Sequence, residues 1–272
     1  MNMEKLVDTA RALVAGDKGL LAMDESDSTC NSARFAKWRA VILIGAGLPS
    51  QGCLEANAHA LARDASLCQE AGPVPVVEPE VLMDSGHSLQ RSCRVIEEVL
   101  RTVFYQLYNQ RVMLEGMILK PNMVFPGLTW PPLQEVSEVD VGEQQYQVRL
   151  TDRQEDESED LDEVADTTVR CLLRTVPAAV PGIALLSGGQ PAELASARLN
   201  ALNVRFKSRL PWGLAFSFAR AIQQPALEIW RGQAANVAAA QQALYHRARC
   251  NQAARRGEYT AAMEKTVRPS AG

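Results

Sequence analysis

Met113-Leu-Glu-Gly-Met-Ile-Leu-Lys-Pro-Asn122 is the stretch from which the fold is read. Met117, Ile118 and Leu119 form a short apolar run that stops at Lys120 and is closed by Pro121, the pattern of a brief buried strand. Side chains alternate along a strand, so Ile118, Lys120 and Asn122 share one face and the Lys120 amine stands over apolar wall at the strand's mouth. Such a setting disfavours the ammonium form, and a neutral amine is what attack on a carbonyl to form a Schiff base requires. A lone lysine at a strand end can also simply snorkel into water, so the reading depends on its companions.

Working outward, the same theme recurs. Gly19-Leu-Leu-Ala-Met-Asp24-Glu-Ser26 is an apolar run ending in acids. In Phe35-Ala-Lys-Trp-Arg-Ala-Val-Ile-Leu-Ile44, a period of two sets Phe35, Lys37, Arg39 and Val41 in one row. Two cations facing inward require carboxylates or a phosphate-bearing ligand opposite them. Val74-Pro-Val-Val-Glu-Pro-Glu-Val81 supplies Val76, Glu78 and Glu80 on one side. Gly182-Ile-Ala-Leu-Leu186 runs into the glycine turn Ser187-Gly-Gly-Gln190, and residues 212–218 run into Ala219-Arg220. Backbone amides in such a turn, aimed by a helix N-terminus, can cradle a phosphate. Amphipathic helices are expected over residues 4–14, 53–70, 88–109, 161–174, 191–201 and 233–256. Six strands alternating with helices define an α/β protein. The absence of a dinucleotide glycine fingerprint after the first strand favours a (β/α) barrel over an open doubly wound sheet.

Residues 126–166 break the rhythm. Val139 and Val141, then Tyr146, Val148 and Leu150, alternate on either side of Gly142 as in a β-hairpin. Residues 152–166 carry nine acidic side chains against the single Arg153, which predicts a solvated surface run. The expected organisation is one domain over residues 1–272 with a surface insertion at 128–160, tolerable because loop-closure entropy grows slowly with length.

Composition narrows the function classes. A 47% hydrophobic content supports a large core, and a net charge of -4 without a basic stripe argues against nucleic-acid binding. No run reaches membrane-spanning length, and residues 1–19 carry acids and do not resemble a signal peptide. The six cysteines are scattered, with no close pair of the kind that marks a metal or redox site, and reduced cytoplasmic thiols are the simplest account. The three histidines lie far apart, so no metal is expected.

The residues gathered at strand ends are Asp24, Lys37 with Arg39, Glu78 with Glu80, Lys120, Ser187 with Gly188, and Arg220. In a barrel these converge on one mouth. They comprise an amine nucleophile, carboxylates for proton transfer, a second lysine and two phosphate-binding elements, a set suited to a bisphosphorylated carbonyl compound.

Six sequence words carry a further likeness. Leu21-Ala-Met-Asp-Glu-Ser26, Phe35-Ala-Lys-Trp-Arg39, Val76-Val-Glu-Pro-Glu-Val81, Leu114-Glu-Gly-Met-Ile-Leu-Lys-Pro-Asn-Met-Val124, Leu186-Ser-Gly-Gly-Gln190 and Ala215-Phe-Ser-Phe-Ala-Arg220 closely resemble class I fructose-bisphosphate aldolase, the metal-independent Schiff-base type. The resemblance implies a TIM barrel that cleaves fructose 1,6-bisphosphate into two triose phosphates, with a sugar-phosphate substrate and no cofactor. It makes Lys120 the Schiff-base lysine and Glu78 the acid and base that dehydrates the carbinolamine, with Glu80 in support. Asp24 matches the residue that orients the lysine and assists carbon–carbon cleavage, and Lys37 matches the charged partner between them. Arg39 resembles a phosphate-side residue, while Ser187, Gly188 and Arg220 resemble the site for the other phosphate.

The chain also departs from the family. Two complete strand-and-helix units separate the Asp24 and Lys37 words in the family, whereas here only residues 25–36 intervene. The family's Gly-Ile-Lys-Val-Asp-Lys-Gly word has no counterpart. The expected fold is therefore an incomplete TIM (β/α) barrel with six strands. Two functions follow: a cytoplasmic glycolytic aldolase whose missing wall is tolerated or supplied in a homo-oligomer, or an impaired aldolase-like protein that retains sugar-phosphate binding or acts through its acidic insertion.

Overall fold

The computed structural model describes residues 3–17, 19–20, 34–130, 139–141, 144–146 and 157–266. Helix α1 (Met3–Val14) carries Leu6, Ala10 and Val14 on one stripe. Those three side chains pack with Leu20, Val74, Val76, Ile118, Ala184 and Ala215 in a small apolar cluster that closes the lower end of the sheet's concave face. The chain continues through β1 (Phe35–Ile42), α2 (Gln51–Ala71), β2 (Val74–Val81), α3 (Leu89–Asn109) and β3 (Ile118–Leu119). A hairpin, β4 (Val139–Val141) and β5 (Gln144–Tyr146), precedes α4 (Glu157–Thr175), β6 (Gly182–Leu185), α5 (Ala192–Phe206) and β7 (Gly213–Phe216). Helices α6 (Arg220–Trp230) and α7 (Val237–Arg256) follow.

Five strands form one parallel sheet in the order β1-β2-β3-β6-β7. The local signals that start and stop the helices are visible in the sequence. Ser50 and Ser88 cap α2 and α3 by accepting hydrogen bonds from the backbone N–H of Cys53 and Arg91, and Gly72 ends α2 in a left-handed conformation. On the convex face, Ala40, Ile42, Val77, Val81, Leu119, Leu185 and Phe216 belong to the main core. The helices that connect parallel strands cover that face. On the concave face the side chains change from apolar to polar along each strand: Val74 and Val76 give way to Glu78 and Glu80, and Ile118 gives way to Lys120. Gly182 permits this arrangement, since a Cβ there would lie 2.5 Å from the Val14 side chain and push α1 away.

The α/β architecture is as expected, but the sheet holds five strands rather than six and does not close among the described residues. Among the described residues the expected first strand is represented by Gly19 and Leu20, and the Leu20 N–H donates to the Phe216 carbonyl at 2.8 Å. The chain thus enters beside β7, where the first strand of a closing barrel runs. Residues 21–26, including Asp24, lie outside the described residues. On the opposite side no described strand pairs with the second edge of β1, and Trp38 there is 50% exposed, alongside exposed Val41 and Leu43.

The acidic run was expected to be a solvated surface stretch running into a helix over 161–174; its described acids Asp162, Glu163 and Asp166 are exposed, and the helix α4 begins at Glu157, four residues earlier than expected. A helix dipole favours acids near the N-terminus, and Asp162 and Asp166 each lie 2.7 Å from the Arg205 guanidinium of α5. Helix α5 runs to Phe206, five residues beyond the expected stop at 201. Within the described residues the hairpin pairs Val139 with Tyr146 and Val141 with Gln144, as expected, while Gly142, Val148 and Leu150 lie outside them.

Candidate active site

Side-chain alternation along β1, β2 and β3 sends Lys37, Glu78 and Lys120 to the concave face, where Lys37 reaches past its ladder partner Val76 to Glu78. Glu78 is the centre. Its Oε1 lies 3.0 Å from Lys120 Nζ and its Oε2 lies 3.2 Å from Lys37 Nζ, so one carboxylate bridges two amines carried by the flanking strands. Glu78 and Lys120 are only 4% and 5% exposed. The Lys37 contact is an ion pair without hydrogen-bond geometry, because Glu78 Oε2 has no hydrogen-bond partner. One level higher, Arg39 donates to Glu80 Oε2. The inward cations of β1 thus meet the carboxylates that their burial demands.

Both cations of β1 reach two residues along the neighbouring strand. Lys37 is the ladder partner of Val76 and Arg39 that of Glu78, yet their side chains meet Glu78 and Glu80, while Lys120 donates its backbone N–H to the Val77 carbonyl at 2.8 Å. Lys37, Glu78 and Lys120 therefore stand on three consecutive strands of the same ladder. Asn122 serves the scaffold: its Oδ1 accepts from the Val81 N–H and its amide donates to the Met123 carbonyl.

These residues line a cavity of about 210 Å³ together with Leu186, Ser187, Gly188, Gly189, Ser217, Ala219 and Arg220. The opposite wall is the glycine turn after β6. Gly188 and Gly189 adopt φ of 58° and 82°, left-handed values that disfavour a Cβ. The Arg220 guanidinium stands beside this turn, 3.5 Å from where a Gly189 Cβ would be. The N-termini of α5 and α6 follow directly, so backbone N–H groups and an arginine border one side of the cavity.

The structure thus brings together Lys37, Arg39, Glu78, Glu80, Lys120, Ser187, Gly188 and Arg220, all named from sequence. Asp24 lies outside the described residues. Sequence reasoning named Gly189 only as part of the glycine turn and missed Ser217, although strand alternation from Ala215 would have pointed Ser217 inward. It also missed the brace behind the turn. Arg198 of α5 donates to Gln190 Oε1 at 2.9 Å, Gln190 donates to the Ser187 carbonyl at 2.8 Å, and Arg198 stacks over the Phe125 ring.

The cysteines also depart from expectation. Cys93 of α3 and Cys171 of α4, remote in sequence, bring their sulfurs and a Glu97 carboxylate oxygen within 4.8 Å of one another. Helix packing, not sequence spacing, makes this pair. A second group joins His246, Cys250 and Glu264. There Glu264 is taken up by Arg247 and by Tyr259, whose hydroxyl donates at 2.7 Å. Burial alone would raise the Glu264 pKa, but these hydrogen bonds and the Arg247 charge hold it below the ordinary range. Arg247 beside that carboxylate disfavours a cation.

A sequence model described as fructose-bisphosphate aldolase class-I matches residues 30–148 and 145–271. A probable fructose-bisphosphate aldolase class 1 of Xylella fastidiosa is 49% identical over 228 residues, covering 84% of this chain and 60% of that protein. The cytoplasmic isozyme 2 of Pisum sativum is 46% identical, covering 85% of this chain and 56% of that one. Fructose-bisphosphate aldolase B of Gallus gallus is 43% identical, with coverages of 93% and 65%. The chain thus spans roughly three fifths of the length of the bacterial relative it matches. A solved Plasmodium falciparum fructose-bisphosphate aldolase, crystallised with TRAP and a small-molecule inhibitor, superposes with a TM-score of 0.79 at 29% identity, covering 95% of this chain and 96% of that chain.

Proposed function

The chain belongs to the class I fructose-bisphosphate aldolase family, and from that premise we propose that its cavity performs Schiff-base chemistry on fructose 1,6-bisphosphate. The observation that carries this reading is the buried Lys37–Glu78–Lys120 bridge at the end of three adjacent strands. Lys120 Nζ adds to the ketone carbon. Glu78, 3.0 Å from that nitrogen, donates the proton with which the carbinolamine hydroxyl leaves as water. The resulting iminium accepts the electron pair of the breaking carbon–carbon bond, and a base takes the proton of the hydroxyl that becomes the aldehyde. By resemblance that base is Asp24. Lys37 keeps Glu78 in place and adds positive charge, Glu80 holds Arg39 toward one phosphate, and Ser187, Gly188 and Arg220 receive the other. Both phosphates are thereby held while the bond between them breaks.

A second reading has its own support. The described sheet ends at β1, and the chain spans 60% of the Xylella fastidiosa relative, which favours a form that binds sugar phosphates without full turnover. A shift of ~1 Å in a reacting group can cost about a hundredfold in rate. Association through the open edge of β1 into a homo-oligomer belongs to either reading, as does a single domain with its insertion at residues 128–160. A cytoplasmic location draws support from relatives named cytoplasmic and cytosolic.

Borohydride trapping with dihydroxyacetone phosphate tests the proposal. A covalent adduct on Lys120, lost in Lys120→Ala, is the expected result. An adduct that persists in the variant refutes the assignment. Trapping without cleavage of fructose 1,6-bisphosphate in a coupled assay selects the second reading.

A further inference from the structure

We propose that Cys93 and Cys171 are a peroxide-sensitive thiol pair that closes into a disulfide joining α3 to α4. The two sulfurs and a Glu97 oxygen lie within 4.8 Å of one another, on facing helices. A disulfide needs a sulfur separation of about 2.05 Å, so closure asks for a side-chain rotation and a small approach of the helices. Cys93 borders a cavity of about 270 Å³ whose lining includes Leu89, Gln90, Arg94 and Thr167. That is ample for a molecule the size of hydrogen peroxide. Cys171 is fully buried behind it.

The two thiols are set up for different roles. When Cys93 ionises, the Cys171 S–H donates to its sulfur and lowers its pKa to about 7; burial and Glu97 oppose this, and Arg170 and Arg174 assist. The same hydrogen bond, followed by burial, pushes Cys171 upward, so it stays protonated. Reactivity of a cysteine follows its thiolate fraction and access. Burial pushes the Cys68 and Cys250 thiols the other way, to about 12 and 11.

The step balances. The Cys93 thiolate attacks one peroxide oxygen, the O–O bond breaks, and hydroxide leaves with a proton as water, giving the sulfenic acid. The Cys171 sulfur then attacks the Cys93 sulfur, the S–O bond breaks, and the departing hydroxyl takes the Cys171 proton as a second water. The two sulfurs lose two electrons and the peroxide gains them.

The same three ligand types could suit a soft metal, but the surroundings argue against one. Glu97 Oε1 is taken by Arg174 at 3.2 Å and Oε2 by Arg101 at 3.0 Å, and Arg170 also lines the cavity. Two guanidiniums on one carboxylate and a third in the cavity wall favour a thiolate and repel a divalent cation.

The test is titration of the reduced full chain with hydrogen peroxide, followed by non-reducing peptide mapping by mass spectrometry. The expected product is a Cys93–Cys171 cross-linked peptide, reversed by dithiothreitol, forming about tenfold faster at pH 8 than at pH 6 as Cys93 ionises. In Cys171→Ser a dimedone-reactive sulfenic acid accumulates at Cys93, and in Cys93→Ser Cys171 stays reduced. The wild-type mapping needs no variant, so a variant that fails to fold leaves the test intact. The proposal is overturned if Cys53, Cys68 or Cys250 oxidises before Cys93, if no cross-link forms, or if stoichiometric zinc binding shields both thiols.

Discussion

Replacing Glu78 with glutamine keeps its shape and removes the one negative charge between two amines. At 3.0 and 3.2 Å, and with an effective dielectric of ~20, each attraction is about 5 kcal/mol before desolvation and mutual repulsion of the lysines are counted. Removing one partner of a buried pair characteristically costs about 3–5 kcal/mol, because it strands charge in a poorly solvated site. Glu78→Gln should therefore lose about 3–5 kcal/mol at pH 7. Urea unfolding of both proteins measures this. Glu80→Gln is the control, since the Arg39 side chain is 44% exposed; it should lose about 1 kcal/mol. A Glu78→Gln loss below about 1 kcal/mol would refute the bridge as the organising feature of the cavity.

Three further perturbations probe the rest of the molecule. Gly127→Ala should unfold the loop after β2 or the whole chain, because its Cβ would fall 1.6 Å from the Ser85 carbonyl oxygen, and backbone cannot yield as a side-chain tip can; a loss above about 4 kcal/mol is expected in thermal or urea unfolding. Glu264→Gln should cost about 1–3 kcal/mol at neutral pH by weakening the Arg247 and Tyr259 hydrogen bonds. Because the folded Glu264 pKa is depressed, its contribution is fully present above the ordinary carboxylate value and disappears as pH falls through the lowered one, so wild type and variant should converge in acid. Trp38→Lys should reduce concentration-dependent association in sedimentation velocity, since a charge on an exposed edge strand discourages strand pairing; unchanged association would clear that edge of any role.

The sequence makes the strand ends legible because two independent rules agree on them. Period-two alternation put Lys37 and Arg39, Glu78 and Glu80, and Ile118 and Lys120 on inward rows, and in the structure those rows carry the ion pairs. Helices α2 and α3 were legible as apolar stripes over 53–70 and 88–109, while the Ser50 cap that starts α2 at Gln51 went unread. What stayed hidden depends on packing between distant segments. Nothing local tells that Cys93 and Cys171 face each other, or that Arg198 braces Gln190 behind the glycine turn. The start of α4 was placed late for a different reason: the charge density of the acidic run argues for solvation, which its exposed acids show, but acids at a helix N-terminus are also good helix starters, so the helix extends back to Glu157.

That the described strands do not close into a ring need not conflict with the polar cavity. Lys37, Glu78 and Lys120 lie on β1, β2 and β3, which are hydrogen-bonded neighbours, and the glycine turn and Arg220 follow β6 and β7, which continue the same ladder. Each contact of the bridge is therefore set by adjacent strands and persists whether or not the arc closes. Closure instead governs the wall between β1 and the segment that enters beside β7 at Leu20, the segment that leads to Asp24. Under the proposed Schiff-base mechanism, imine formation would depend on the continuous ladder alone. A chain that traps dihydroxyacetone phosphate at the full rate yet cleaves the hexose slowly would have its fault outside that ladder, and one that fails to trap would have it within.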